Sequence, residues 1–296
     1  MAKRAICVGI NKFANYPQFA LNGCVNDAND MAALCKQVLG YKASEVTVLT
    51  DAKATKAAIM VALTTAVKDA KAGKISSLLF AWSSHGTQMT DTSGDEPDGK
   101  DEAFVPYDIA EKSGDWDPAH IITDDEFHDL FNQLPANVLL EVYLDTCHSG
   151  SGLRGAEFGL HAPRARFIAP PSRQGVGKQA AVTGFTLAAR APAKKMPAAA
   201  KKAAAAAKTA ATAATDGLHH ILWSGCKADQ TSADAYFGGR YNGAFTYHYI
   251  KVLRATNNTL SRAKVVAQMR TAMKGQFSQT PQLETGATNR NSVVVL

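Results

Sequence analysis

Two short stretches carry residue types able to do covalent chemistry. In "LLFAWSSHGTQ", His85 stands two residues past an apolar run and is followed by Gly86. In "VLLEVYLDTCHSG", Cys147 stands two residues past another. A thiolate attacks carbonyl carbon, an imidazole protonates the leaving amine, and N–H groups on a glycine-bearing turn hold the oxyanion. The pair thus suggests nucleophilic acyl transfer, provided both reach the same place. His148 is adjacent to Cys147 in sequence, but consecutive side chains on extended backbone point to opposite faces, which disfavours it as the proton acceptor. The bland reading of Cys147 is a small buried hydrophobe, as most free cysteines are. A matching strand end at His85 weighs against that.

Bringing the two together is the task of the surrounding elements. Apolar segments at Arg4–Ile10, Glu45–Thr50, Ile75–Ser83 and Asn137–Asp145 read as strands. Between them lie helical patterns. "NDANDMAALCKQVLG" opens on capping residue types and stops at Gly40, and "TKAAIMVALTTAVKDAKAG" stops at Gly73. "TDDEFHDLFNQLP" has Thr123 and Glu126 at capping-box spacing and closes before Pro135. Strands and helices alternating in this way predict an α/β fold with a mostly parallel central sheet and helices on both faces. In such sheets ligands bind outside the carboxyl ends of the strands, where His85 and Cys147 fall. A fifth strand is expected at Ile221–Cys226, then helices over Ala244–Thr256 and Ser261–Lys274, and a last strand in "SVVVL".

The chain has 296 residues, 46% hydrophobic and 20% charged, which suits a soluble globular protein. No apolar run is long enough to span a bilayer and no signal peptide is expected. Five cysteines without a CxxC pair argue against structural zinc and a disulfide scaffold, and for a reducing, cytoplasmic setting. The net charge of +6 is unevenly placed: Arg154 to Lys208 holds eleven Lys/Arg and one acid, leaving the rest at −4. Much of this segment is low-complexity Lys-Ala sequence without aromatics to stack on bases, so an exposed linker is expected rather than a nucleic-acid binder. The division is residues 1–153, a basic Lys/Ala-rich insertion at 154–217, and residues 218–296, which complete the same domain.

Taken in order, "LNGCVNDANDM", "SSHGTQ", "DEAFVPYD", "ITDDEFHDLF", "YLDTCHSGSG" and "SGCKADQTSADA" resemble the motifs of the metacaspases and orthocaspases, caspase-like cysteine peptidases with an αβα-sandwich fold. The resemblance skips the insertion and lacks the QAC-x-G signature of the Asp-specific branch. It implies a dyad of His85 and Cys147, an oxyanion hole from the Gly86 and Cys147 N–H groups, and a substrate pocket based on Asp27 and Asp145 with Ser83 beside them. Paired carboxylates in a cleft favour a guanidinium or ammonium, so cleavage after Arg or Lys is expected. Asp27 also suits a helix cap.

Calcium, often bound in that family, would fall on Asp101, Asp124 and Asp125, but the expected fourth aspartate is Arg154, which removes a hard oxygen ligand. Calcium as an activator is left open, and the chemistry itself needs no cofactor. Self-cleavage, frequent in the family, has Arg154, Arg164, Arg166, Arg173, Lys178 and Arg190 as candidate positions. Expected partners are protein or peptide substrates with Arg or Lys at P1, no membrane and no nucleic acid, with the chain acting as a monomer. The competing reading is a catalytically silent scaffold whose basic tract docks on nucleic acid or another anionic surface. An intact Cys/His pair speaks against that. A phosphoacceptor role for Asp145 fails because the first strand ends in Ile10 and Asn11 rather than a carboxylate pair.

Overall fold

A computed structural model of the chain describes residues 1–91, 99–147, 163–171 and 220–294. Its centre is a six-stranded sheet in the order Gln282–Glu284, His220–Ser224, Leu139–Asp145, Ile75–Ser83, Ala2–Gly9 and Val46–Thr50. All neighbours run parallel except the edge strand Gln282–Glu284, which is antiparallel to His220–Ser224. The expected α/β architecture is therefore present.

The period-two alternation of the strands sorts their side chains onto two faces. Ile6, Val8, Leu78, Phe80, Trp82, Leu140 and Val142 pack with Ile59, Leu63 and Val67 of the helix Lys56–Lys71 and with Phe127 and Phe131 of the helix Asp124–Phe131. Ala5, Cys7, Leu79, Ala81, Tyr143, Ile221 and Trp223 face the helices Cys24–Gln37, Ala244–Ala255 and Arg262–Met273. Helices on both faces leave the strands without a solvated side, which is why they read as unbroken apolar runs. Three helix starts follow the expected chemistry: Thr55, Thr123 and Ser261 each accept an N–H of the first turn, and Thr123 and Glu126 complete a capping box. The helix Cys24–Gln37 instead starts behind Gly23 with no side-chain cap, two residues before the Asn/Asp run expected to open it.

Two expectations differ in position. The strand after the insertion is His220–Ser224, and the sixth strand is Gln282–Glu284 rather than "SVVVL". In that tail Val293 forms only an isolated bridge with Ser261, and residues 295–296 lie outside the described ones. A three-residue antiparallel edge needs little apolar patterning, so "QLE" gave no signal.

One polar pair is built into the second core. The Arg262 guanidinium donates from Nε and Nη2 to the two Glu141 carboxylate oxygens, both at 2.9 Å, and both residues are buried. Trp223 Nε1 also donates to Glu141. Arg262→Met strands the Glu141 charge and is expected to cost roughly 3–5 kcal/mol, read as a lower urea midpoint at unchanged slope.

Candidate functional site

The register of the two central strands brings the two candidate residues to one edge of the sheet. Ser83 pairs with Asp145, so His85 and Cys147, each two residues further on, leave the same sheet edge from adjacent strands. After His85 the chain turns into the hairpin Gly86–Thr90 with Lys100–Phe104. A Cβ on Gly86 would overlap the Cys147 carbonyl oxygen, so only glycine lets the two turns lie this close. Gly86→Ala is expected to lower peptidase kcat at least about 100-fold by displacing the Gly86 N–H, the scale of losing one oxyanion donor. An unchanged kcat would mean the N–H has no such part.

His85 is buried between Phe13 and Phe19, and its Nε2 lies 2.7 Å from the Phe19 carbonyl oxygen. A carbonyl only accepts, so Nε2 carries the proton and Nδ1, which has no hydrogen-bond partner, is the basic nitrogen. Burial pushes the imidazole down to about 4, countered in part by the bond to Phe19. The ring is thus held neutral, as a proton acceptor requires. Cys147 is buried and its sulfur accepts the Ser232 N–H. Cys226 is a neighbouring thiol; its hydrogen bond to Cys147, and then burial, push it well above the usual thiol range. Cys24 is pushed up by burial. Neither supplies a ready thiolate.

Beneath the sheet edge lies a pocket of three carboxylates. Asp27 is in the first turn of the helix Cys24–Gln37, but it does not cap that helix. Its oxygens accept the Asn242 side chain, the Gly243 N–H and the Ser83 hydroxyl, the last at 2.7 Å. Asp145 accepts the Thr246 N–H and hydroxyl and the Ser232 hydroxyl. The third acid, Asp234, is held by the Asn22 and Gly23 N–H groups, both at 2.8 Å. Nothing local marks Asp234 for this role: it is one acid in "TSADA", part of a motif noted without assigning its residues.

The pocket holds a side chain of the chain itself. Arg166, fully buried, places Nη2 2.7 Å from Asp27 Oδ2 and 3.0 Å from Asp234 Oδ1, and Nη1 2.7 Å from Ser83 Oγ and 3.2 Å from Asp145 Oδ1. Its backbone is equally engaged. The Arg166 carbonyl oxygen accepts the Gly86 N–H at 3.0 Å and the Cys147 N–H at 3.3 Å, and the Arg166 N–H donates to Ser232. Arg164 and Ala165 pair antiparallel with Asp234 and Ala233, and the Ile168 N–H donates to Gly86. Residues 163–171 belong to the stretch read from sequence as an exposed linker; here residues 164–168 run through the site. Arg164, the other described cleavage candidate, is exposed and donates to the Ala20 carbonyl. Arg154, Arg173, Lys178, Arg190 and His148 lie outside the described residues.

Of the aspartates assigned to calcium, Asp101 and Asp124 are buried on the strand Lys100–Phe104 and the helix Asp124–Phe131, and Asp125 is half-buried. Among the described residues no group of three or more His, Cys, Asp or Glu is arranged to hold a metal ion.

A thiol and an imidazole at adjacent strand ends, two N–H groups converging on a carbonyl oxygen, and an αβα frame define the class: a caspase-like cysteine peptidase. The chain belongs to the caspase-domain family, whose model matches residues 2–292, and within it to the metacaspases. It is 32% identical over 298 residues to Metacaspase-1A of Aspergillus oryzae, covering 95% of this chain and 67% of that one. Two solved structures share the fold. A Geobacter sulfurreducens protein aligns with a TM-score of 0.63 at 24% identity over 99% of this chain and 97% of that one. Caspase-1 from Spodoptera frugiperda aligns with a TM-score of 0.54 at 13% identity over 96% of this chain and 88% of that one. No helix among the described residues is long and apolar enough to cross a membrane.

Proposed function

We propose that the chain is a cysteine endopeptidase that cleaves after Arg or Lys, with Cys147 as nucleophile and His85 as proton carrier, and that it cuts itself within its basic insertion. The observation that carries this reading is Arg166, whose guanidinium meets three carboxylates while its carbonyl oxygen accepts the Gly86 and Cys147 N–H groups. A P1 residue in the act of cleavage needs both engagements at once.

In this reading His85 takes the Cys147 proton and the thiolate adds to the P1 carbonyl carbon. The oxyanion is held by the two N–H groups. The C–N bond then breaks as the imidazolium protonates the leaving amine. Water, deprotonated by His85, hydrolyses the thioester and returns the thiol. Substrates are protein or peptide chains that pair with the strand Ala233–Phe237 as Arg164 and Ala165 do. The five free cysteines support a reducing, cytoplasmic setting, and the family resemblance implies a chain acting as a monomer.

The test is hydrolysis of fluorogenic peptides ending in Arg, Lys or Asp, each with calcium or with chelator. Arg is expected to lead Lys by about tenfold, because a guanidinium fork reaches acceptors on both sides whereas an ammonium is a point charge. Asp peptides are expected to stay uncut, being repelled by the pocket. Calcium as an activator belongs to the same proposal, and the two lanes read it directly. Cleavage after Asp would sink the pocket assignment.

A further inference from the structure

We infer that the Arg166–Phe167 bond is the bond this chain cuts in itself, and that until it is cut, residues 163–168 are a plug that keeps other substrates out. The inference rests on the peptidase reading above, and adds which of six candidate positions is used and what the uncut segment does.

The segment is engaged on both sides of the bond. On the amino side, Arg164 and Ala165 add a strand to Asp234 and Ala233, and the Arg166 N–H donates to the Ser232 carbonyl. On the carboxyl side, Phe167 bridges Gly86, the Ile168 N–H donates to the Gly86 carbonyl, and the Ile168 side chain is buried in the first core. The bond between these anchors is the one whose carbonyl faces the Gly86 and Cys147 N–H groups. Arg164, two residues earlier, fails as a P1 residue because its exposed guanidinium is already spent on the Ala20 carbonyl, away from the acidic pocket.

Atoms and protons balance within the molecule plus one water. Cys147 Sγ bonds to the Arg166 carbonyl carbon, the Arg166–Phe167 C–N bond breaks, and the Phe167 nitrogen takes the proton that His85 drew from the thiol. Water then replaces sulfur, leaving an Arg166 carboxylate, a Phe167 amine and the free thiol. While the bond is whole, Arg166 fills the pocket that an external Arg must enter. Held by its own backbone, it competes at an effective concentration no dilute peptide matches. Turnover of external substrate therefore follows the cut.

The experiment is timed cell-free translation, with the new N-terminus read by sequencing and hydrolysis of an Arg-ending fluorogenic peptide followed in parallel. The expected result is a fragment starting at Phe167, a half-time unchanged by tenfold dilution, and a lag in peptide hydrolysis that matches its appearance. Cys147→Ala should stay intact. Arg166→Gln should slow the break at this bond at least 100-fold and hydrolyse the peptide without a lag; Arg166→Lys should restore the break and the lag. Should Arg166→Gln fail to fold, the wild-type N-terminus and the lysine variant decide. Peptide hydrolysis by a wild type that is uncut, or first cut elsewhere, overturns the inference and leaves the peptidase reading standing. A half-time that lengthens on dilution overturns cutting within one molecule. An absence of hydrolysis of any basic peptide, by wild type and Arg166→Gln alike, overturns the peptidase reading instead.

Discussion

Cys147→Ala is expected to abolish peptidase activity, with kcat falling on the order of 10⁴- to 10⁶-fold, the loss seen when a covalent nucleophile is removed. The fold should persist. Cys147 is a small buried residue whose backbone N–H, the group that contacts the Arg166 carbonyl, is kept by alanine. Thermal unfolding should therefore shift by only a few degrees, the scale of about 1 kcal/mol in a domain of this size. The size of the activity loss follows from the lack of a substitute. The nearest other thiol, Cys226, is pushed well above the usual range by its hydrogen bond to Cys147 and by burial. Removing Cys147 takes away the first of these causes and leaves the burial. Fluorogenic Arg-peptide hydrolysis by the purified variant reads the result. Residual activity above a hundredth of the wild type would show that Cys147 is not the nucleophile.

Neutralising the pocket is expected to have the second-largest effect. Asp27→Asn, Asp145→Asn and Asp234→Asn each keep the side-chain shape while removing one carboxylate from a buried guanidinium partnership. Breaking a buried charged pair costs about 2–5 kcal/mol, so kcat/KM for Arg peptides should fall roughly 30- to 5000-fold.

The pH dependence of KM adds a signature specific to Asp27. Its carboxyl is pushed up to about 6, chiefly by burial, while the Arg166 charge pulls it down. An empty pocket lacks that pull, so its Asp27 binds a proton to higher pH. Arg binding then releases a proton between about 6 and the empty-pocket value. Affinity for Arg peptides should rise with pH across that window and level off below about 6, where both states hold the proton. Asp27→Asn should flatten the profile and Asp234→Asn should not. A sloping profile in Asp27→Asn would assign the titration to another group.

Much of this molecule is legible before folding because its elements are locally specified. Ile75–Ser83 and Leu139–Asp145 are buried on both faces and so are written as continuous apolar runs. Helix limits are marked by Thr55, Thr123 and Ser261, whose side chains satisfy the first-turn N–H groups. His85 and Cys147 could be matched because strand ends are visible as ends of those runs and parallel strands share their carboxyl edge. Asp27 and Asp145 followed from the motifs around them, although Asp27 alone also suits a helix cap.

What the sequence left open depends on chain segments distant in order. Asp234 joins Asp27 only because the hairpin Ala233–Phe237 with Arg240–Gly243 folds back against the helix Cys24–Gln37. In one dimension it is an acid among small residues, indistinguishable from a solvated one. Arg166 is one of eleven cations in a segment without periodicity, and no local pattern distinguishes it from Arg164 two positions away. The choice was made by tertiary structure. Three buried carboxylates need a cation, and a backbone with its carbonyl on the Gly86 and Cys147 N–H groups can deliver only the side chain of that same residue into the pocket. Local sequence determines which elements form and where they stop. Which charge is buried against which is decided by long-range desolvation and register, and these exist only once the chain has closed on itself.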